Sequence, residues 1–145
     1  MPTQAPNLID GLFQLSFLLQ ARLARIAAEH DLSIVQVRLL GILRDREPGM
    51  LQLARRLELE KSSLSGLVDR AEKRGLVERI PSPSDRRAAT IRITVQGRKL
   101  ARVIEEAATA EVDVLVQALP EADRKRLAAL VGRVVLAFDP TDRAS

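Results

Sequence analysis

The chain has 145 residues, 46% apolar and 29% charged, with three Phe and no Trp, Tyr or Cys. That is the size of one domain with an aliphatic core, a composition that favours helices packed on helices. The lack of cysteine excludes disulfides and thiol redox switching, and with a single histidine it argues against structural zinc.

Residues 8–30 place Leu8, Leu12, Leu15, Leu19, Leu23 and Ile26 at helical spacing, and Phe13 and Phe17 add a second apolar face. A helix apolar on two faces needs a partner beyond its own core. Ser33 then predicts a helix start, with Gln36 completing a capping box and Leu32 and Val37 placed as a staple. That helix runs through Leu39, Leu40 and Leu43 to a stop before Pro48-Gly49. A short helix over Leu51–Leu57, with Leu51, Leu53, Ala54 and Leu57 inward, is followed after three residues by a helix over Lys61–Arg74. In the second helix Leu64, Leu67, Val68 and Ala71 form the buried stripe, and Gly75 is the stop. This is a helix-turn-helix layout.

Leu76–Ile80 reads as a strand and Ala89–Thr94 as its return, with Ile91 and Ile93 on one face. The intervening PSPSDRRA is therefore the loop of a hairpin. Thr94 caps a long helix over Val95–Leu119, Pro120 breaks it, and a last helix spans Glu121–Ala137, leaving a tail from Asp139. The expected fold is mainly α with a small β-hairpin: a winged helix-turn-helix with terminal dimerisation helices. Residues 1–32 form the first dimerisation helix, 33–97 the DNA-binding lobe, 98–138 the C-terminal dimerisation helices and 139–145 the tail. No apolar run reaches 18 residues and no signal peptide opens the chain, so a cytoplasmic protein outside the membrane is expected.

Charge is unevenly spread. Residues Arg44–Arg102 hold 15 Lys/Arg against 8 Asp/Glu within a net charge of only +4. A basic middle is the distribution expected of a module that meets polyanions.

The segment LARRLELEKSSLSGLVDRAEKRGLVERIPSPSDRRAATIRITVQGRKL (Leu53–Leu100) resembles the core of the multiple-antibiotic-resistance-regulator (MarR) family of bacterial transcription factors. Asp85-x-Arg87 followed by Ile91-x-Ile93-Thr94-x-x-Gly97 is similar to the family's wing signature, and helix order agrees over nearly the whole chain. The resemblance implies a homodimer joined by its terminal helices and bound to double-stranded DNA at a pseudo-palindromic site. Recognition helices would enter the major groove and wings the minor groove. It also implies a repressor, which many members make responsive to small aromatic or phenolic effectors.

The residues agree with that reading. Ser62, Ser63, Ser65, Gly66, Asp69 and Arg70 lie on the face opposite the buried stripe, where hydroxyls and a guanidinium can reach base edges or phosphates, and Lys61 at the helix start joins the DNA-binding candidates. Gly66, standing where the family commonly has a larger and often basic side chain, allows close approach of a duplex. In the wing, Asp85 is expected to orient the loop by pairing with Arg87 or backbone amides, so that Arg86 or Arg87 reaches a narrow minor groove. Pro81 and Pro83 restrict the loop. Arg55, Arg56, Lys73, Arg74 and Arg79 are read either as phosphate contacts or as solvated charges. For an effector, Arg22, His30 and Arg38 are the candidate polar contacts, with Phe13 and Phe17 as apolar walls. The competing readings are a helix-capping role for His30 and an interface role for the phenylalanines. No nucleophile–base pair or phosphate-cradling glycine loop is present, so neither an enzyme nor a cofactor is expected.

Overall fold

The computed structural model describes residues 4–85 and 88–138. Its elements in chain order are α1 (Leu8–Glu29), α2 (Ile34–Leu43), α3 (Met50–Leu57), α4 (Lys61–Lys73), β1 (Val77–Pro81), β2 (Ala89–Ile93), α5 (Val95–Val116) and α6 (Glu121–Ala137). Arg86, Arg87 and the tail 139–145 lie outside the described residues.

Caps set the helix starts. Asn7 accepts the Asp10 N–H at 2.9 Å to open α1. At α2 the capping box is complete: Ser33 Oγ accepts the Gln36 N–H at 3.2 Å, and Gln36 Oε1 accepts the Ser33 N–H at 2.8 Å. Short α3 starts at Met50, one residue earlier than expected, because extended Gly49 takes the N-cap position. This corrects the assignment of Leu51 inward: it is 67% exposed, whereas Leu53 and Leu57 are buried. Leu51 and Leu53 are two positions apart, about 200° round the helix, so they cannot share a face.

Glu58 ends α3 in the left-handed region with φ 53, and α4 follows at Lys61. Leu64, Leu67, Val68 and Ala71 of α4 are buried as expected. They join Leu39, Leu40 and Leu43 of α2, Leu53 and Leu57 of α3, and Val77, Ile91 and Ile93 of the hairpin in one aliphatic core. Each fully buried Leu or Ile contributes about 1.5–3 kcal/mol. Gly75, at φ 71, makes the turn out of α4.

The hairpin is antiparallel, with Val77 opposite Ile93, Arg79 opposite Ile91 and Pro81 opposite Ala89. Its strands sit one residue off the expected bounds. Pro81 belongs to β1, its missing N–H falling at the strand end, and Ser82 N–H continues the pairing to the Ala88 carbonyl at 3.1 Å. Pro48-Gly49, read in the sequence only as a helix stop, also pairs with β2: Ile91 N–H donates to the Pro48 carbonyl at 2.9 Å. No alternating pattern marks a strand of that length, which is why it was missed.

Thr94 ties the hairpin to α5. Its hydroxyl donates to the Gly75 carbonyl at 2.6 Å and accepts the Gly97 N–H at 3.0 Å. Helix α5 stops at Val116 rather than Leu119, closing in a turn in which the Leu119 N–H donates to the Val116 carbonyl at 2.9 Å just before Pro120. Arg124 then covers the loose end, donating to the carbonyls of Leu119 at 2.9 Å and Gln117 at 3.2 Å.

Glu111 of α5 holds α1 through two arginines, Arg22 at 2.6 Å and Arg25 at 2.8 Å. The Arg22 hydrogen bond is the first cause that keeps the Glu111 carboxyl below its ordinary pKa. A carboxylate with a depressed folded-state pKa stabilises the fold above its unfolded value, roughly 4.3, and that contribution disappears as pH falls through the folded value. Glu111→Gln is therefore expected to lower the urea midpoint at neutral pH. It should also flatten the acid limb below about pH 4 relative to the parent chain. Coincident acid limbs for the two chains would contradict this.

The terminal helices are not covered. In α1 only Ile26 and Ala27 are buried, and Leu8, Ile9, Phe13 and Phe17 are each more than 60% exposed. Helix α6 has no buried residue, and Leu130, Val131, Val134 and Val135 face outward. Among the described residues, no helix is long and apolar enough to cross a membrane.

Candidate nucleic-acid interface

The outer face of α4 is built from the residues the sequence pointed to. Lys61, Ser62, Ser63 and Arg70 are exposed, and Ser65 and Gly66 are half-buried. Extended Glu60 precedes the helix without a side-chain cap bond, as expected of glutamate at that position. Lys61 and Arg70 have no ion-pair partner among the described residues. Arg70 folds back along the helix: a methyl group at Gly66 would lie 3.2 Å from its Nη1. The missing side chain at Gly66 is thus the space over which the Arg70 guanidinium lies.

Other basic residues near α4 are engaged inside the protein, which sorts the set that the sequence could not divide. Arg74 donates to the carbonyls of Asp31 at 2.8 Å and His30 at 2.9 Å, fastening α4 to the end of α1. Arg79, at the base of β1, bridges Asp69 at 2.7 Å and Glu72 at 2.9 Å on α4. The Asp69 hydrogen bond, first, and the neighbouring carboxylates raise the Arg79 pKa still further. Arg92 on β2 is held by Glu78 at 2.6 Å. Arg74 and Arg79 are consequently structural cations, whereas Arg55 and Lys73 are exposed and unpaired among the described residues.

In the wing, the Asp85 carbonyl accepts the Ala88 N–H at 3.1 Å, while Ser82 and Ser84 hydroxyls meet at 3.1 Å. Arg86 and Arg87, the two groups expected to enter the minor groove, are outside the described residues.

The three candidate effector contacts do not converge. Arg22 is paired with Glu111. His30 occupies the C-cap position of α1 through its backbone, and its carbonyl accepts from Arg74. Arg38 lines a different hollow, with Arg46, Arg56 and Val135. Between α1, α2 and α5 lies a cavity of about 140 Å³ walled by Leu23, Val37, Leu40, Ile104 and Ala108. Its charged lining is Arg44 and Glu105, bonded to each other at 2.8 Å. Nothing in the sequence separates Arg44 from any other arginine at a helix end; only packing of α5 against α2 brings it to this cavity.

A family model described as MarR family matches residues 30–88. The chain is 33% identical over 135 residues to the HTH-type transcriptional regulator PecS of Dickeya dadantii, spanning 89% of this chain and 81% of PecS. Among solved structures, NadR in complex with 4-hydroxyphenylacetate is 26% identical with a TM-score of 0.73, covering 92% of this chain and 97% of NadR. The Staphylococcus aureus MepR–DNA complex shares the fold, with a TM-score of 0.73 at 18% identity over 92% of this chain and 100% of MepR. With a winged helix-turn-helix built from α2–α4 and the hairpin, flanked by α1, α5 and α6, and a relative of this similarity along most of its length, the chain belongs to the MarR family of DNA-binding transcriptional regulators.

Proposed function

We propose that this regulator is a homodimeric repressor. In this reading two copies of α4 enter successive major grooves of a pseudo-palindromic operator, and the wings reach the flanking minor grooves. The observation that carries it is the pairing of a bare, cationic α4 face with terminal helices whose apolar side chains have no cover in a single chain. Lys61 and the serines of the first turn are positioned for phosphates, and Ser65, Gly66 and Arg70 for base edges. Asp85, Arg86 and Arg87 supply the wing contact.

Exposed apolar patches on this scale mark association surfaces. Phe13→Glu in α1 is expected to shift the protein to a monomer by sedimentation. Operator affinity should fall by at least about tenfold, because two half-sites then bind independently. A dimer that survives this change would place the interface elsewhere.

The effector reading is a small aromatic or phenolic anion, as NadR holds in 4-hydroxyphenylacetate. The 140 Å³ chamber supports it, being close to the roughly 150 Å³ cavity known to admit one benzene ring. A ligand carboxylate would compete with Glu105 for Arg44, making Arg44 a better candidate than Arg22, His30 or Arg38. The test is a gel-shift titration on the DNA upstream of the protein's own gene, repeated with aromatic acids. Unchanged binding to that DNA and to unrelated DNA would sink the repressor reading, and release that persists in Arg44→Gln would sink the pocket.

A further inference from the structure

Between α3, the start of α4 and β2 lies a groove of about 490 Å³, with no lining residue in common with the 140 Å³ chamber. Met50, Leu51 and Ala54 of α3 and Ala89 of β2 supply apolar lining, Thr90 a hydroxyl and Lys61 an ammonium. The groove gives the outward turn of Leu51 a use: at 67% exposed it contributes nothing to the core, yet it forms part of this wall. Charge in the groove is one-sided. Lys61 is exposed and has no ion pair among the described residues, and no described carboxylate lines the groove with it. Glu60, its neighbour in sequence, is the N-cap residue of α4 and is not part of the lining.

A cation at an apolar recess selects a ligand with one anionic end and an apolar body, and the volume falls within the roughly 300–1,000 Å³ range of small-molecule sites. One ammonium balances one negative charge. That suits a carboxylate better than a phosphate dianion, whose oxygens are matched by guanidinium forks. No aromatic ring is present among the described lining residues, and methionine adapts its shape to a flexible chain. Each methylene of such a chain gains from burial against these walls. We propose that the groove binds a small aliphatic carboxylate, its oxygens on Lys61 and Thr90 and its chain along Met50, Leu51 and Ala54. In the repressor reading Lys61 also meets an operator phosphate, so acid and DNA use one ammonium in turn. That consequence rests on the repressor reading; the groove itself does not.

Calorimetric titration of the full chain with sodium octanoate and sodium butanoate, at fixed ionic strength and without DNA, tests the groove independently of the repressor reading. Saturable octanoate binding is expected, at least about tenfold tighter than butanoate because four more methylenes are covered. Lys61→Gln should weaken octanoate by about tenfold or more through the lost charge-assisted bond. Leu51→Ser should instead narrow the octanoate-to-butanoate ratio, since it removes wall and keeps charge. Both side chains are exposed, so unfolding midpoints equal to that of the parent are expected for both variants. Lys125→Gln, which deletes one exposed charge on α6 outside the groove, should bind like the parent chain. Absence of octanoate binding, equal affinity for the two acids, or undiminished binding in Lys61→Gln would overturn the proposal. So would an equal loss in Lys125→Gln, or a loss confined to Arg44→Gln, which would move the acid to the 140 Å³ chamber. On DNA-saturated protein, octanoate binding is expected to fall; binding unchanged there would overturn the shared use of Lys61 alone.

Discussion

Gly97→Ala is expected to destabilise the protein by about 3 kcal/mol, the upper end of the cost of overpacking a well-filled site. A Cβ there would lie 2.0 Å from the Leu76 carbonyl oxygen and 2.9 Å from Ile93 Cγ1. The first obstacle is backbone and cannot rotate away. Leu76 is itself pinned, its carbonyl accepting the Thr94 N–H at 3.0 Å, and Ile93 is in the core. The added methyl would push the start of α5 off the hairpin and break the Thr94 bonds that join them. Gly132 in α6 is the control, since a Cβ there meets nothing within 4 Å. Gly132→Ala should leave stability unchanged or raise it by up to about 1 kcal/mol through helix propensity. Urea unfolding of both variants checks the contrast; a Gly97→Ala midpoint equal to that of the parent would show that the wing tolerates a shift the packing forbids.

Arg70→Ala is expected to weaken operator binding by roughly 1–3 kcal/mol for each recognition helix, with little change in unfolding midpoint. The stability half follows from exposure and the absence of an ion-pair partner among the described residues. The binding half follows from its place on the outer face, lying over Gly66. If Arg70 reads a base, discrimination at that position should relax. If it meets a phosphate, affinity should drop uniformly across sequences and the salt slope should shrink by about one per contact. Arg79→Ala makes a useful comparison, because it frees Asp69 and Glu72 on the same helix. That variant should also lose affinity, through exposed negative charge rather than a lost contact. An Arg70→Ala protein with undiminished affinity would remove α4 from the DNA-reading role assigned to it.

Much of the framework was legible because it rests on local chemistry. Ser33 with Gln36, Thr94 with Gly97 and Gly75 at positive φ depend on residues within four positions of one another. The buried stripe of α4 follows from helical spacing alone. Leu51 was misplaced because every leucine of the segment was set inward, whereas helical spacing puts Met50, Leu53, Ala54 and Leu57 on one face and Leu51 outside it; Gly49 also gives no side-chain cap to mark the boundary. Arg74 and Arg79 were unreadable for a different reason. Their partners at residues 30–31 and on α4 come within reach only after the lobe has folded, and one arginine in a basic segment looks like another.

The same division runs through the function. Sequence alone determined the order of helices and hairpin, the outward set Ser62, Ser63, Ser65, Gly66, Asp69 and Arg70 beside Lys61, and the apolar excess of the terminal helices, because periodicity and caps are short-range properties. Tertiary structure decided which arginines face out and which are fastened inside. It also explained why position 97 requires glycine, and it brought Arg44 to one cavity and Arg38, Arg46 and Arg56 to another. Those outcomes depend on charges and carbonyls distant in the chain and near in space, and only packing makes them neighbours.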